Sequence, residues 1–195
     1  MTKYIAITGT HSTGKSTFVD KFCNIARARG LTVGTVKDNA SECARKGFGI
    51  LKSHTFQSTL WIMATVIREE QYEGLGADLV IVDRPVSDAI AYLEAALAAT
   101  EREIPAADRE YLYALAKLHA PRYDLVFKSV LDESINLGPG RDPDLEYRKE
   151  VDRRMGAVLS RLEVVPLNPL HDDDTALVLR MIEELAMERQ PDLKT

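Results

Sequence analysis

The chain has 195 residues, of which 45% are hydrophobic, 28% charged and 7% aromatic. These proportions exclude disordered, collagen-like and membrane-embedded classes and predict a single domain, 1–195, that buries its own core. A formal net charge of -5 excludes nucleic-acid binding by bulk electrostatics and leaves only a local basic groove for such contacts.

Cys23 and Cys43, the two cysteines, are too few for a disulfide framework and lack zinc-ligand spacing, so free thiols in a reducing compartment are expected. No signal-peptide pattern or run of roughly 18 apolar residues occurs. The expected location is cytoplasmic, with no membrane partner.

In chain order, the apolar run YIAIT at 4–8 ends at glycine and predicts a first strand. Phe18, Phe22 and Ile25 then recur at helical spacing as far as Gly30. Further strands are predicted at 31–36, 79–82, 123–130 and 162–167. One intervening helix carries Phe56, Leu60, Met63 and Ile67 on a face, and another carries Val86, Ile90, Leu93 and Leu97. Short apolar runs separated by helices read as βαβ units, so the expected fold is three-layer α/β with five parallel strands covered on both faces. The stretch NLGPGRDP at 136–143 reads as a loop. It precedes a charged helix with Tyr147, Val151, Met155, Val158 and Leu162 on one stripe. Beside a phosphate site, the segment 132–155 reads as a basic lid.

The strongest signal is Gly9, Thr10, His11, Ser12, Thr13, Gly14, Lys15 and Ser16, followed by Thr17, which satisfies G-x-x-x-x-G-K-[ST]. Glycines let the backbone fold into a nest of N–H groups, the next helix offers its positive amino end, Lys15 reaches the β- and γ-phosphates, and Ser16 coordinates Mg²⁺. The stretch is built for a nucleotide triphosphate, with ATP and Mg²⁺ as the expected cofactors. His11 reads as a variable, solvent-facing position.

After the third strand come Asp83 and Arg84, where open α/β sheets place their ligands. Asp83 can organise Mg²⁺ through water or accept a proton, and Arg84 can hold phosphate. After the second strand, Glu42 and Arg45 share a helix face. They read either as a surface ion pair or as a base at the acceptor hydroxyl with an arginine on a phosphate; Asp38 is a second candidate for the carboxylate role. Gln57 and Trp61, at i and i+4, could bond and stack on a base, although a lone tryptophan is also a common core residue. In the lid, Arg141 lies in the glycine-rich hinge and Arg148 is expected to project away from the apolar stripe, suiting both for transition-state charge. Arg153 and Arg154, beside Glu150 and Asp152, read as surface ion pairs.

No Asn-Lys-x-Asp motif of a GTPase switch occurs, and a chain this long leaves little room for the extra helical domain of a motor ATPase. A regulatory nucleotide-binding module is the reading from a different class. Arg45 and Arg84 together favour a phosphate-bearing acceptor, and the acidic balance favours a free small molecule over DNA. A homodimer is compatible with the chain.

GTHSTGKST, ECAR, VIVDRPVSDAIAYL and RDPDLEYRKEVDRRM, in that order over nearly the whole chain, resemble the P-loop nucleoside and nucleotide kinases. The likeness is to the small ATP-binding subfamily with ribosylnicotinamide kinase domains and many phage-encoded kinases. The resemblance implies strand order 2-3-1-4-5 and ATP with Mg²⁺ at the loop, with Lys15, Ser16 and Thr17 on that side. It places Glu42, Arg45, Asp83 and Arg84 at the acceptor and Arg141 and Arg148 in the lid. Pro85 stands where deoxynucleoside kinases usually have serine and thymidylate kinases tyrosine. The acceptor therefore does not follow from the family, and a hydroxymethylated pyrimidine in DNA is the alternative to a small nucleoside or nucleotide.

Overall fold

The computed structural model describes residues 1–131 and 144–189. Four parallel strands, β1 (Lys3–Thr8), β2 (Val33–Val36), β3 (Leu79–Asp83) and β4 (Leu125–Lys128), form one sheet in the order β2-β3-β1-β4. Among the described residues, seven α-helices run between and after them: α1 (Lys15–Ala28), α2 (Ala40–Arg45), α3 (Phe56–Glu73), α4 (Val86–Ala99), α5 (Ala106–His119), α6 (Leu145–Arg161) and α7 (Asp172–Arg189).

The alternation of side chains along a strand divides the core into two layers. Tyr4, Ala6, Val80 and Val82 face one side, where α3 to α6 supply Met63, Ile90, Leu112 and Met155. Ile5, Ile7, Leu79 and Ile81 face the other, against Phe18 and Phe22 of α1 and Val178 and Ile182 of α7. Because β3 is central and covered on both faces, its sequence is a continuous apolar run broken only by the terminal Asp83. Cys23 and Cys43 are both free and buried.

The fifth strand expected at 162–167 reduces to a single bridge. Leu167 donates to Val126 O at 2.8 Å and accepts from Lys128 N at 2.9 Å. Pro166 and Pro169 flank that contact and have no N–H to extend a ladder. Upstream, Leu162 and Glu163 are taken up by the carboxyl end of α6. The α6 stripe is placed as its spacing predicts: Tyr147, Val151, Met155 and Val158 are buried, packed chiefly against α4. Two helices, α5 and α7, have no counterpart in the sequence reading. Each buries only three residues on a narrow stripe, too sparse a pattern to stand out from an otherwise polar stretch.

At the amino end of the strands, opposite the phosphate loop, Glu70 of α3 is wholly buried. Tyr123 donates its hydroxyl hydrogen to Glu70 Oε1 at 2.7 Å, His119 Nε2 lies 2.6 Å from Oε2, and Arg122 Nε lies 3.7 Å from Oε2. Removing Glu70 takes away the carboxylate that the Tyr123 hydroxyl and the His119 ring share. Glu70→Ala should therefore lower the unfolding free energy by about 3–5 kcal/mol, read as a shifted urea midpoint, and Glu70→Gln should lose less. Equal midpoints for wild type and Glu70→Ala would show that the cluster does not hold the fold.

Candidate active site

The loop between β1 and α1 is shaped by backbone that few residues adopt: φ is 135° at Gly9, 58° at Ser12 and 80° at Gly14. At Gly9 space also excludes a side chain, since a Cβ would lie 2.1 Å from Ser129 Oγ. Ser129, just past β4, donates to Thr8 O at 3.0 Å and lies 2.6 Å from the Thr13 hydroxyl, which clamps the loop from outside. The amino end of α1 has no side-chain cap, so its first N–H groups are presented to whatever the loop encloses. Lys15 is 5% exposed and donates from Nζ to Thr10 O. Burial, reinforced by the nearby Arg84 charge and opposed by Asp83 and Asp88, holds its ammonium well below the usual lysine range.

Asp83 ends β3 beside this loop. Its Oδ1 is buried with no hydrogen-bond partner among the described residues, and the nearby Ser16 hydroxyl favours the ionised carboxylate. Burial raises its pKa against the pull of Lys15 and Arg84. An orphaned carboxylate oxygen next to a hydroxyl, in a cleft lined by residues 12–17, suits a hard divalent cation.

Arg84 follows with φ 74°, a strained backbone for a non-glycine residue. Its guanidinium is fixed on all sides: Nε lies 2.7 Å from Asp38 Oδ2, and Nη1 donates to Gly9 O at 3.0 Å and Tyr92 Oη at 3.2 Å and lies 3.5 Å from Asp88 Oδ2. Burial opposes its charge, but Tyr92, Asp38, Asp88 and Asp83 outweigh burial and raise the pKa. Burial also works against the Asp38 carboxylate, yet Arg84, the Ala40 N–H and Lys15 hold it below the usual range. Asp88, which accepts a bond from the Thr8 hydroxyl, is pushed up by burial despite Arg84.

A second hollow opens on the far side of the Asp38–Arg84 pair. Ile62, Val66, Pro85 and Ala89 give it an apolar lining, while Asn39, Ser41, His54 and Tyr92 supply polar groups. Asp38 and Arg84 line both this pocket and the loop cleft, so the two spaces meet at that ion pair.

The expected residues divide accordingly. The loop residues, Asp38, Asp83 and Arg84 converge. Glu42 and Arg45 pair with each other at 3.4 Å on the surface of α2 and line neither space. Trp61 packs on Phe48 with ring centroids 5.9 Å apart, and Gln57 is exposed beside a separate hollow near Arg102. Arg148 is not turned outward: it is 3% exposed and donates from Nη2 to His11 O at 3.3 Å, leaving Nε without a hydrogen-bond partner among the described residues. Against the solvent-facing expectation, His11 is 4% exposed and helps to wall the pocket. Arg153 and Arg154 both bind Glu150, at 2.6 and 2.7 Å, as surface pairs. Arg141 and the rest of 132–143 lie outside the described residues. Asp88 and Tyr92, within the VIVDRPVSDAIAYL stretch but given no role there, also enter the site, and His54 enters it unannounced by any motif.

Among the described residues no helix is long and apolar enough to cross a membrane. No curated protein matches the chain. Solved structures do. The NadR protein in complex with NR aligns with TM-score 0.63 at 15% identity, over 99% of this chain and 52% of that one, so the chain spans about half the length of that match. Deoxyadenosine kinase from M. mycoides with bound dATP aligns with TM-score 0.57 at 15% identity, over 96% and 99% of the two chains. Thymidylate kinase from Candida albicans aligns with TM-score 0.57 at 18% identity, over 96% and 92%. At these identities the likeness is one of fold. Residues 4–172 match the AAA_28 family of AAA domains, and the chain belongs to that family, with the fold of the P-loop nucleoside and nucleotide kinases.

Proposed function

We propose that the protein is an ATP-dependent kinase that transfers the γ-phosphoryl group to a hydroxyl of a small, neutral, nucleoside-like acceptor. The observation that carries this reading is the junction of the loop cleft and the acceptor pocket at Asp38 and Arg84. A carboxylate held ionised at that junction accepts the acceptor hydroxyl proton. The acceptor oxygen then bonds the γ-phosphorus, and the bond to the β,γ-bridging oxygen breaks, releasing ADP. Lys15 and the amino end of α1 bind the phosphates, and Arg148, fixed on the loop at His11, supplies positive charge beside them. Ser16 and Asp83 would hold Mg²⁺, which supplies charge neutralisation at the transferring phosphates when bound.

The pocket argues for a neutral acceptor. Two guanidiniums were expected on this side, but Arg45 is on the surface and Arg84 is committed to Asp38 and Asp88. Among the described residues, the formally charged ones lining the pocket are two carboxylates and that one arginine, a poor host for a second phosphate and for the backbone of a DNA strand. The test is a labelled γ-phosphate transfer screen across nucleosides, nucleoside monophosphates, ribosylnicotinamide, and plain or hydroxymethylated DNA. Label is expected in a neutral riboside or deoxyriboside. Label confined to monophosphates or DNA would overturn the acceptor assignment and leave the kinase chemistry standing, whereas ATP turnover with no acceptor dependence would favour a regulatory ATPase.

A further inference from the structure

His54 is the one histidine whose two ring nitrogens are both buried without a hydrogen-bond partner among the described residues. It is 2% exposed and lines the acceptor pocket. Burial lowers its pKa to about 4 against the pull of the nearby Leu51 carbonyl, which lies outside hydrogen-bonding geometry, so at neutral pH the ring offers one N–H donor and one lone-pair acceptor. A buried polar group left unbonded costs free energy, and here that cost falls on a side chain that lines the acceptor pocket.

The ring is held in place rather than mobile. It stacks on Tyr92 with centroids 5.9 Å apart and planes 29° from parallel. Tyr92 is fixed in turn by the Arg84 guanidinium on its hydroxyl. The backbone of the short turn at Leu51–Ser53 is pinned from α4's far end, where Arg102 Nη2 donates to Lys52 O at 2.8 Å and to His54 O at 3.0 Å. One aromatic residue, Tyr92, thus connects the arginine at the phosphate junction with the histidine in the acceptor pocket.

We propose that His54 is the specificity-determining residue of the acceptor pocket, hydrogen-bonding through a ring nitrogen to the polar edge of a flat, neutral heterocycle whose faces lie among the apolar side chains. This rests on the kinase reading and narrows it: the acceptor is a nucleoside whose neutral base presents a donor or acceptor to the imidazole. The apolar side chains of Ile50, Ile62, Val66 and Ala89 suit the ring. His54 supplies the directional bond that apolar burial lacks, and a site built to bond such a group discriminates strongly against analogues without it.

The test compares wild type, His54→Phe and His54→Gln, using adenosine, cytidine and thymidine as probes. Binding is measured by calorimetry without ATP, transfer by labelled γ-phosphate, and stability by thermal melting. Phenylalanine keeps the ring on Tyr92 and removes the two unbonded nitrogens. The melting temperature of His54→Phe should therefore hold or rise. Its Kd and KM for the preferred probe should rise roughly ten- to a hundredfold, with kcat within a few-fold and KM for ATP unchanged. His54→Gln should recover part of the affinity.

Equal Kd values for wild type and His54→Phe, or a destabilised His54→Phe with unchanged affinity, would overturn the proposal and leave the kinase reading intact. Wild-type binding of a probe that depends on His54 but leads to no transfer would support the proposal and sink the kinase reading. If wild type binds none of the probes, the proposal falls, and the transfer screen decides the kinase reading separately.

Discussion

Lys15→Ala should lose phosphoryl transfer by on the order of a thousandfold or more in kcat/KM and yet fold as well as wild type. Both halves follow from the geometry. The Lys15 ammonium is nearly wholly buried, has no carboxylate bonded to it among the described residues and spends its hydrogen bonds on Thr10 O and the Thr13 hydroxyl of its own loop. Burial accordingly depresses its pKa, which means that the folded chain gains little from the charge it carries. Phosphates would be the partners the ammonium lacks. The pH dependence has a fixed sign: a lysine with a lowered pKa is charged at low pH and loses the proton as pH rises. In the free enzyme, kcat/KM for ATP should therefore fall on the alkaline side well below 10.5, the usual lysine value. Lys15→Arg, charged throughout, should show a reduced but flat alkaline profile. A folded Lys15→Ala protein with normal transfer would remove the phosphate-loop assignment altogether.

What the sequence makes legible is whatever is local. The GTHSTGKS loop is readable because each of its residues acts within a few positions of its neighbours, and the structure places Ser12 to Ser16 around one cleft while His11 turns to the adjoining pocket. The two-faced alternation of YIAIT and LVIVD likewise predicts a sheet covered on both sides. The fifth strand is misjudged because apolar content at 162–167 outweighs two proline positions that forbid a ladder. Site residues outside the loop depend on how separate elements close on one another, and there local spacing gives out. Glu42 and Arg45 share a face, but on a helix of only six residues the sequence cannot say whether that face meets the cleft or solvent. Arg148 sits one residue past the buried stripe, and only the approach of α6 to the phosphate loop turns it inward. His54 precedes the Thr55 cap of α3 in a stretch with no motif. Its position depends on a turn folding back beside α4.

Asp38→Asn should lower kcat by about 10² to 10⁴, the range for losing a positioned general base, while Glu42→Gln changes it only within a few-fold. The two substitutions compare carboxylates from the same stretch after β2. Glu42 is bonded to Arg45 at the surface, a pair of the kind that contributes little. Asp38 lines both the phosphate cleft and the acceptor pocket and is held ionised by Arg84. Asparagine preserves a carbonyl oxygen for the Arg84 contact, so the loss should fall on chemistry more than on acceptor KM. Because its pKa is held below 3.8, the usual aspartate value, the acid limb of any wild-type profile attributable to this group should lie on the acid side of an ordinary aspartate. Asp83 provides the internal comparison. Its unbonded oxygen beside Ser16 is suited to a cation, so Asp83→Asn should raise the Mg²⁺ concentration needed for half-maximal rate, and Asp38→Asn should leave that midpoint in place. If Glu42→Gln shows the large kcat loss and Asp38→Asn does not, α2 must turn its outer face into the site during turnover, and the base assignment passes to Glu42.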